Sequence, residues 1–169
     1  MLSSSSAVRI RKGQPDDGAA LAEIFRDSWQ HTYRSIIPPL HLETLIRRRG
    51  SDWWSGAIRS GDTVYLLEVE GKPVGYGTFG PSRVKGAFKG EIYELYLIPV
   101  YQGLGFGEHL FEACRAGLDE RRLDGLVVWA LAANTPAIDF YWRRGGRPHS
   151  TTYDRIGRAR LQKISMVWT

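Results

Sequence analysis

Three glycines alternate in Tyr101-Gln102-Gly103-Leu104-Gly105-Phe106-Gly107, between an apolar, aromatic run ending at Pro99 and a helix-like segment expected to begin at Gly107 or Glu108. Glycines at alternate positions strip side chains from one turn, so that backbone N–H groups can converge on an anion where the positive end of a helix dipole also points. Concave N–H arrays of this sort bind phosphate. Two better-known phosphate loops do not fit. A Walker A loop needs Gly-Lys followed by Ser or Thr, whereas Gly107 is followed by Glu108 and His109. A dinucleotide fingerprint needs Gly-x-Gly-x-x-Gly, and here the third glycine arrives one residue early. What remains is Gln-x-x-Gly-x-Gly, filled by Gln102, Gly105 and Gly107, with the form of a pyrophosphate cradle.

The elements that must hold this loop are legible in the hydrophobic pattern. Val8, Ile10 and Lys12 alternate with Arg9 and Arg11, a short strand closed by Gly13. Asp16 or Asp17 can cap a helix whose positions Leu21, Ile24, Phe25 and Ser28 recur at helical spacing. After the break at Pro38-Pro39, one helical region is expected over about Leu40 to Ile58. Thr63 to Val69 and Val74 to Phe79 form a hairpin about Gly71-Lys72-Pro73, and a glycine-rich connection leads into the strand at Glu91. Past the loop, Leu110, Phe111, Cys114 and Leu118 form a helical stripe, which assigns Cys114 to the core. Leu126 to Leu131 is an apolar strand without alternation, hence central. Thr135 is expected to cap the next helix, with Pro136 at its first position, and two strands follow at Ser150 to Tyr153 and Leu161 to Trp168.

At 169 residues the chain is most economically one domain over residues 7–169, preceded by a serine-rich tail at 1–6 expected to be disordered. The single cysteine excludes an internal disulfide and fits a reducing, cytoplasmic location. No apolar span approaches membrane length, so no membrane partner is expected. The net charge of +5 favours anionic partners, and a ligand with several phosphates already meets that need. His31, His41, His109 and His149 lack metal-ligand spacing with any cysteine or carboxylate pair, so no metal is expected.

With the loop and its flanks together, the chain resembles the GNAT superfamily of acyl-coenzyme A-dependent N-acyltransferases. The strand Glu91-Ile92-Tyr93-Glu94-Leu95-Tyr96-Leu97-Ile98-Pro99 is similar to the superfamily's fourth strand, and the segment from Asn134 to Tyr141, closed by Gly145-Gly146, resembles the one that supplies an asparagine and a tyrosine to the coenzyme. The resemblance covers roughly residues 7 to 168. It implies an α+β, single-domain acyltransferase fold, with a mixed, mostly antiparallel central sheet of about seven strands and about four helices. It also implies acetyl-coenzyme A as cosubstrate. The pantetheine arm would pair with the backbone of Leu95, Tyr96 and Leu97. The pyrophosphate would lie against Gln102, Gly103, Leu104, Gly105, Phe106, Gly107 and Glu108, and Asn134 would bond the arm from the other side.

Acyl transfer from a thioester to an amine, by direct attack through a tetrahedral intermediate, needs a neutral amine, a polarised carbonyl and a protonated leaving thiolate. A primary amine has a pKa near ~10.4, so a general base is worth about 10²- to 10⁴-fold. Glu91 and Glu94 are the candidates. Glu91 stands eleven residues before Gln102, the spacing at which the histone-modifying branch of the family carries its glutamate base. Strand alternation sets Glu91 and Glu94 on opposite faces unless a bulge intervenes, and the family carries such a bulge. The branch that modifies protein N-termini takes its base from the fifth strand, where this chain has Trp129. The carbonyl would be polarised by a backbone N–H near Leu97. Tyr141 matches the family's general acid. It lies seven residues, two helical turns, after Asn134, so both can face one groove while Phe140 faces elsewhere.

Family members build the acceptor site from the first two helices and the last hairpin, and that region is aromatic here, with Trp29 and Tyr33 as candidate substrate-binding residues beside Trp53 and Trp54. The expected partner is a small-molecule or peptide amine. A homodimer is compatible with the sequence but not required by it. The rival from another class is a non-catalytic acyl-coenzyme A-binding sensor or subunit. A nucleic-acid binder, suggested by Arg47 to Arg49 and the basic C-terminal stretch, is disfavoured because no recognition motif accompanies the charge.

Overall fold

The computed structural model describes residues 7–169. The tail expected at 1–6 lies outside the described residues. Seven strands form one sheet: β1 (Val8–Lys12), β2 (Thr63–Val69), β3 (Lys72–Pro81), β4 (Gly90–Leu97), β5 (Leu126–Leu131), β6 (Arg147–Ile156) and β7 (Ala159–Trp168), in the order β1-β2-β3-β4-β5-β7-β6. Every neighbouring pair is antiparallel except β4 and β5. The expected mixed, mostly antiparallel α+β sheet is therefore present. The Glu70-Gly71 turn joins β2 to β3 with both φ angles positive, as a two-residue hairpin requires.

Five α-helices cover the sheet: α1 (Gly18–Tyr33), α2 (Pro39–Arg48), α3 (Ser51–Arg59), α4 (Phe106–Glu120) and α5 (Thr135–Arg143). The count exceeds the expected four because the region read as one helix divides at Arg49-Gly50. Arg49 leaves the helical basin at φ −101°, ψ 55°, and Gly50 is extended at φ −80°, ψ −169°. Ile46 and Trp53 on either side of the break fit one helical repeat seven residues apart, so the spacing of the flanking apolar residues alone does not mark it.

Strand alternation divides the core in two. On one face, Leu21, Ile24 and Phe25 of α1 and Trp54 of α3 pack on Val64, Leu66 and Tyr76. On the other, Leu110, Phe111, Cys114 and Leu118 of α4 and Tyr141 of α5 pack on Leu67, Val74, Ile92 and Leu97. Cys114 is fully buried, as its stripe position implies. Each such Leu, Ile or Phe withdraws from water a side chain worth about 1.5–3 kcal/mol, which fixes the strands between the helices.

Two features of β4 shape the site. Its pairing with β5 covers only Gly90–Leu126 and Glu91–Val127, after which the strands diverge. Its pairing with β3 slips, since Thr78 faces Glu94 while Phe79 faces Ile92, so Tyr93 is an extra residue. A bulge of this kind resets the alternation. Glu91 and Glu94 thus fall on the same side of the sheet, the α1/α3 side on which Glu94 meets Tyr76.

Candidate active site

The divergence of β4 from β5 opens a cleft of about 520 Å³. At its mouth, the chain leaves β4 through Pro99 and turns at Gln102 into α4. Gly103 and Gly105 have φ +76° and +86°, in the left-handed region that favours glycine, and a Cβ at either would meet no atom within 4 Å. The cradle is therefore open. Gly105 is the N-cap, so α4 begins at Phe106, earlier than the sequence suggested, and the helix N-terminus lies in the loop itself. Gln102 donates its side-chain amide to the Leu97 carbonyl at 3.1 Å, which ties the loop to the end of β4.

Of the residues expected to hold a coenzyme, Leu95, Tyr96, Leu97, Gln102, Gly103, Gly105, Gly107, Glu108, Asn134 and Tyr141 line this cleft. Leu104 and Phe106 do not. Leu104 is an exposed side chain, and Phe106 packs against the core on the α4 side, so only their backbone belongs to the turn. Phe140, expected to face away, lines the cleft beside Tyr141, with its ring 3.2 Å from where a Gly107 Cβ would stand. The groove thus has an aromatic wall broader than helical spacing suggested. Arg143 and Arg144 add positive charge, and Arg144 also reaches Glu108 at 3.4 Å.

The far wall is α5. Asn134 caps this helix, in place of the expected Thr135, its Oδ1 accepting from the Ala137 N–H at 3.4 Å. Tyr141 is 6% exposed, and burial pushes its phenol well above the ordinary range, so it keeps its proton at every physiological pH. Tyr33, from the last turn of α1, lines the cleft and shares a short hydrogen bond with the Tyr96 hydroxyl. Trp29, by contrast, does not line the cleft. It stacks between Phe25 and Tyr33 at 4.6 and 4.8 Å and donates Nε1–H to the Tyr76 hydroxyl at 3.3 Å.

The two glutamates differ in surroundings. Glu91 is 1% exposed, absent from the cleft lining, and engaged by Arg83 through its guanidinium at 2.6 Å and its backbone N–H at 3.0 Å. Glu94 lines the cleft. Arg49 donates to both its oxygens, at 2.6 and 3.0 Å, and the Tyr76 hydroxyl donates at 3.0 Å. The Arg49 guanidinium is itself clamped over Phe25, Trp53 and Trp54 at 4.3, 4.1 and 4.8 Å. Sequence reasoning saw Arg49 only as part of a basic run. No local signal links it to a residue 45 positions away.

Comparison with known proteins places the fold. The sequence model of the Acetyltransferase (GNAT) family matches residues 19–145. The chain belongs to the GNAT acetyltransferase family. An uncharacterized N-acetyltransferase, YuaI of Bacillus subtilis, is 29% identical over 163 residues, covering 95% of this chain and 92% of the relative. A mycothiol acetyltransferase of Acidothermus cellulolyticus is 34% identical over 90% of this chain, which spans 49% of that relative. A spermidine N(1)-acetyltransferase of Thermoplasma acidophilum is 25% identical over 86% of this chain and 91% of the relative. Among solved GNAT folds, PaiA N-acetyltransferase of Thermoplasma acidophilum in complex with coenzyme A superposes with TM-score 0.75 at 20% identity, covering 92% of this chain and 97% of that one. YncA of Salmonella typhimurium, solved with acetyl-CoA, superposes with TM-score 0.69 at 20% identity over 96% and 93%. At that identity the likeness is one of fold. No helix among the described residues is long and apolar enough to cross a membrane.

Proposed function

We propose that this GNAT protein transfers the acetyl group of acetyl-coenzyme A to a primary amine of a small molecule or peptide. The observation that carries the reading is the divergence of β4 from β5, with an open left-handed glycine turn at its mouth and Glu94 and Tyr141 on its walls. The turn fits a diphosphate, since N–H groups at a helix N-terminus and open space where side chains would stand are what such an anion needs. The backbone groups of Leu95 to Leu97 that face away from β3 have no partner on β5 and can pair with a pantetheine arm and polarise a carbonyl.

The protein's own groups supply the proton transfers. Glu94, directly or through water, takes a proton from the ammonium or from the adduct formed when the amine nitrogen attacks the carbonyl carbon. Tyr141, kept protonated by burial, gives its proton to the departing sulfur. Glu91, buried, engaged by Arg83 at both oxygens and outside the cleft, serves the β3–β4 connection rather than the chemistry. Two curated relatives are named for acetylation of spermidine and of the mycothiol system, which supports an amine acceptor. The protein as expressed, incubated with acetyl-coenzyme A and an amine library, should give products heavier by one acetyl group.

A second reading, a non-catalytic acyl-coenzyme A-binding sensor, is favoured by one observation. Both Glu94 oxygens are held by Arg49, so a bond must loosen before the carboxylate accepts a proton. Coenzyme binding by calorimetry with no acetylated product from any amine would select the sensor.

A further inference from the structure

A second cavity, of about 390 Å³, lies on the α1/α3 face and meets the coenzyme cleft at Tyr93 and Glu94, which line both. Five charged side chains line it: Arg49, Asp62, Arg83, Glu94 and Arg121. Arg49 pairs with Glu94, and Arg83 pairs with Glu91 behind it. Asp62 and Arg121 have no ion-pair partner among the described residues. Both belong to the cavity wall near the start of β2, where the Arg121 guanidinium donates to Thr63 Oγ1 and Asp62 directly precedes Thr63 in the chain. Phe79 carries the guanidinium on its ring face at 5.5 Å. One unmatched anion and one unmatched cation thus line the cavity together with Trp53, Tyr93 and Glu94.

We propose that this cavity binds the acceptor, and that the acceptor is a diamino monocarboxylic acid acetylated on its distal amine. The inference rests on the acetyltransferase reading above. An α-ammonium carboxylate head carries opposite charges on either side of one carbon, and Asp62 and Arg121 offer the cavity one counter-charge of each sign. The methylene chain lies along Trp53 and Tyr93, as amphipathic amines do on aromatic faces. β2 and β4 are two strand spacings apart, about 10 Å, which a chain of a few methylenes spans. The distal nitrogen then forms its bond to the thioester carbonyl carbon, the C–S bond breaks, Glu94 receives the amine proton and the sulfur takes one from Tyr141. A plain diamine leaves Arg121 unmatched and brings a second cation toward Arg49, Arg83 and Arg121.

The test compares lysine and ornithine with cadaverine and putrescine, the same chains without the carboxylate, using the full chain and acetyl-coenzyme A. The expected result is acetylation of the distal nitrogen, located by fragmentation of the product, with kcat/KM favouring an amino acid over its diamine by about tenfold, the size of one charge-assisted hydrogen bond. Arg121→Met should reduce that ratio to near one, Arg121→Lys should retain part of it, and Asp62→Asn should lower it independently. Equal use of diamines, a ratio untouched by Arg121→Met, or acetyl on the α-nitrogen overturns the inference. Acetylation of other amines alone also overturns it and leaves the acetyltransferase reading standing. Absence of any product, with acetyl-coenzyme A binding intact, overturns both.

Discussion

Arg49 and Glu94 form a fork-to-fork ion pair, 2.6 and 3.0 Å long, in which each side chain is less than one-fifth exposed. The pair joins the break between α2 and α3 to the bulged strand, and three aromatic rings hold the guanidinium from behind. Glu94 is thereby fixed at the junction of the two cavities.

Replacing Glu94 by Gln should lower kcat by about 10²- to 10⁴-fold, the range of a general base. Glu91→Gln should leave kcat within a few-fold and instead reduce stability by about 1–3 kcal/mol, since it weakens the buried acceptor of two Arg83 donors. Steady-state kinetics and denaturant unfolding on both variants test the division. A larger kcat loss in Glu91→Gln would exchange the roles.

Tyr141→Phe removes one oxygen from a ring packed against Phe111, Phe140 and Trp168, and no stacking partner is lost. Turnover should fall by about 10²-fold while coenzyme affinity, read by calorimetry, changes little. An unaltered kcat would remove the proton-donor role.

Gly105→Ala adds a Cβ that meets nothing, so its effect is backbone strain at φ +86°. The strain should cost about 1–2 kcal/mol, either as lower stability or as a reshaped turn. Coenzyme KM should rise while KM for the amine stays put. The reverse pattern would mean the turn serves the acceptor.

Alkaline pH should destabilise the protein from two sources. Burial raises the Cys114 thiol above its ordinary value of 9.0 and the Tyr33, Tyr76, Tyr96 and Tyr141 phenols above 10.0. The folded state therefore keeps protons that the unfolded chain releases, and stability present below those ordinary values is lost as pH rises through them toward the folded ones. Melting curves from pH 7 to 11 should decline from about pH 9, and Cys114→Ala should delay the onset toward 10.

Strand and helix types followed from periodicity, because Leu110, Phe111, Cys114 and Leu118 or Val8 and Ile10 can bury their apolar side only in one conformation. The glycine turn was legible because its chemistry is local. The division at Arg49-Gly50 was not, since Ile46 and Trp53 keep a two-turn helical spacing across a break that lies in the backbone geometry. Phe140 and Arg49 were missed for a different reason. Their roles depend on how α5 and the α2–α3 junction dock on strands distant in the chain, and long-range packing leaves no trace in local spacing. The same holds for Glu91 and Glu94, since alternation could not tell whether a bulge would bring them to one side, nor that Glu94 would line the cleft while Arg83 covers Glu91.

The separation of β4 from β5 after two residue pairs leaves an edge of β4 without a strand partner inside an otherwise continuous sheet. A cosubstrate with peptide-like amides in its arm would act there as a transient strand. Its arrival would complete the ladder, and those amide protons of β4 that face away from β3 would slow their exchange with solvent deuterium for as long as it stays. Turnover would then be a cycle of the fold itself, in which each release of product unzips the middle of the molecule.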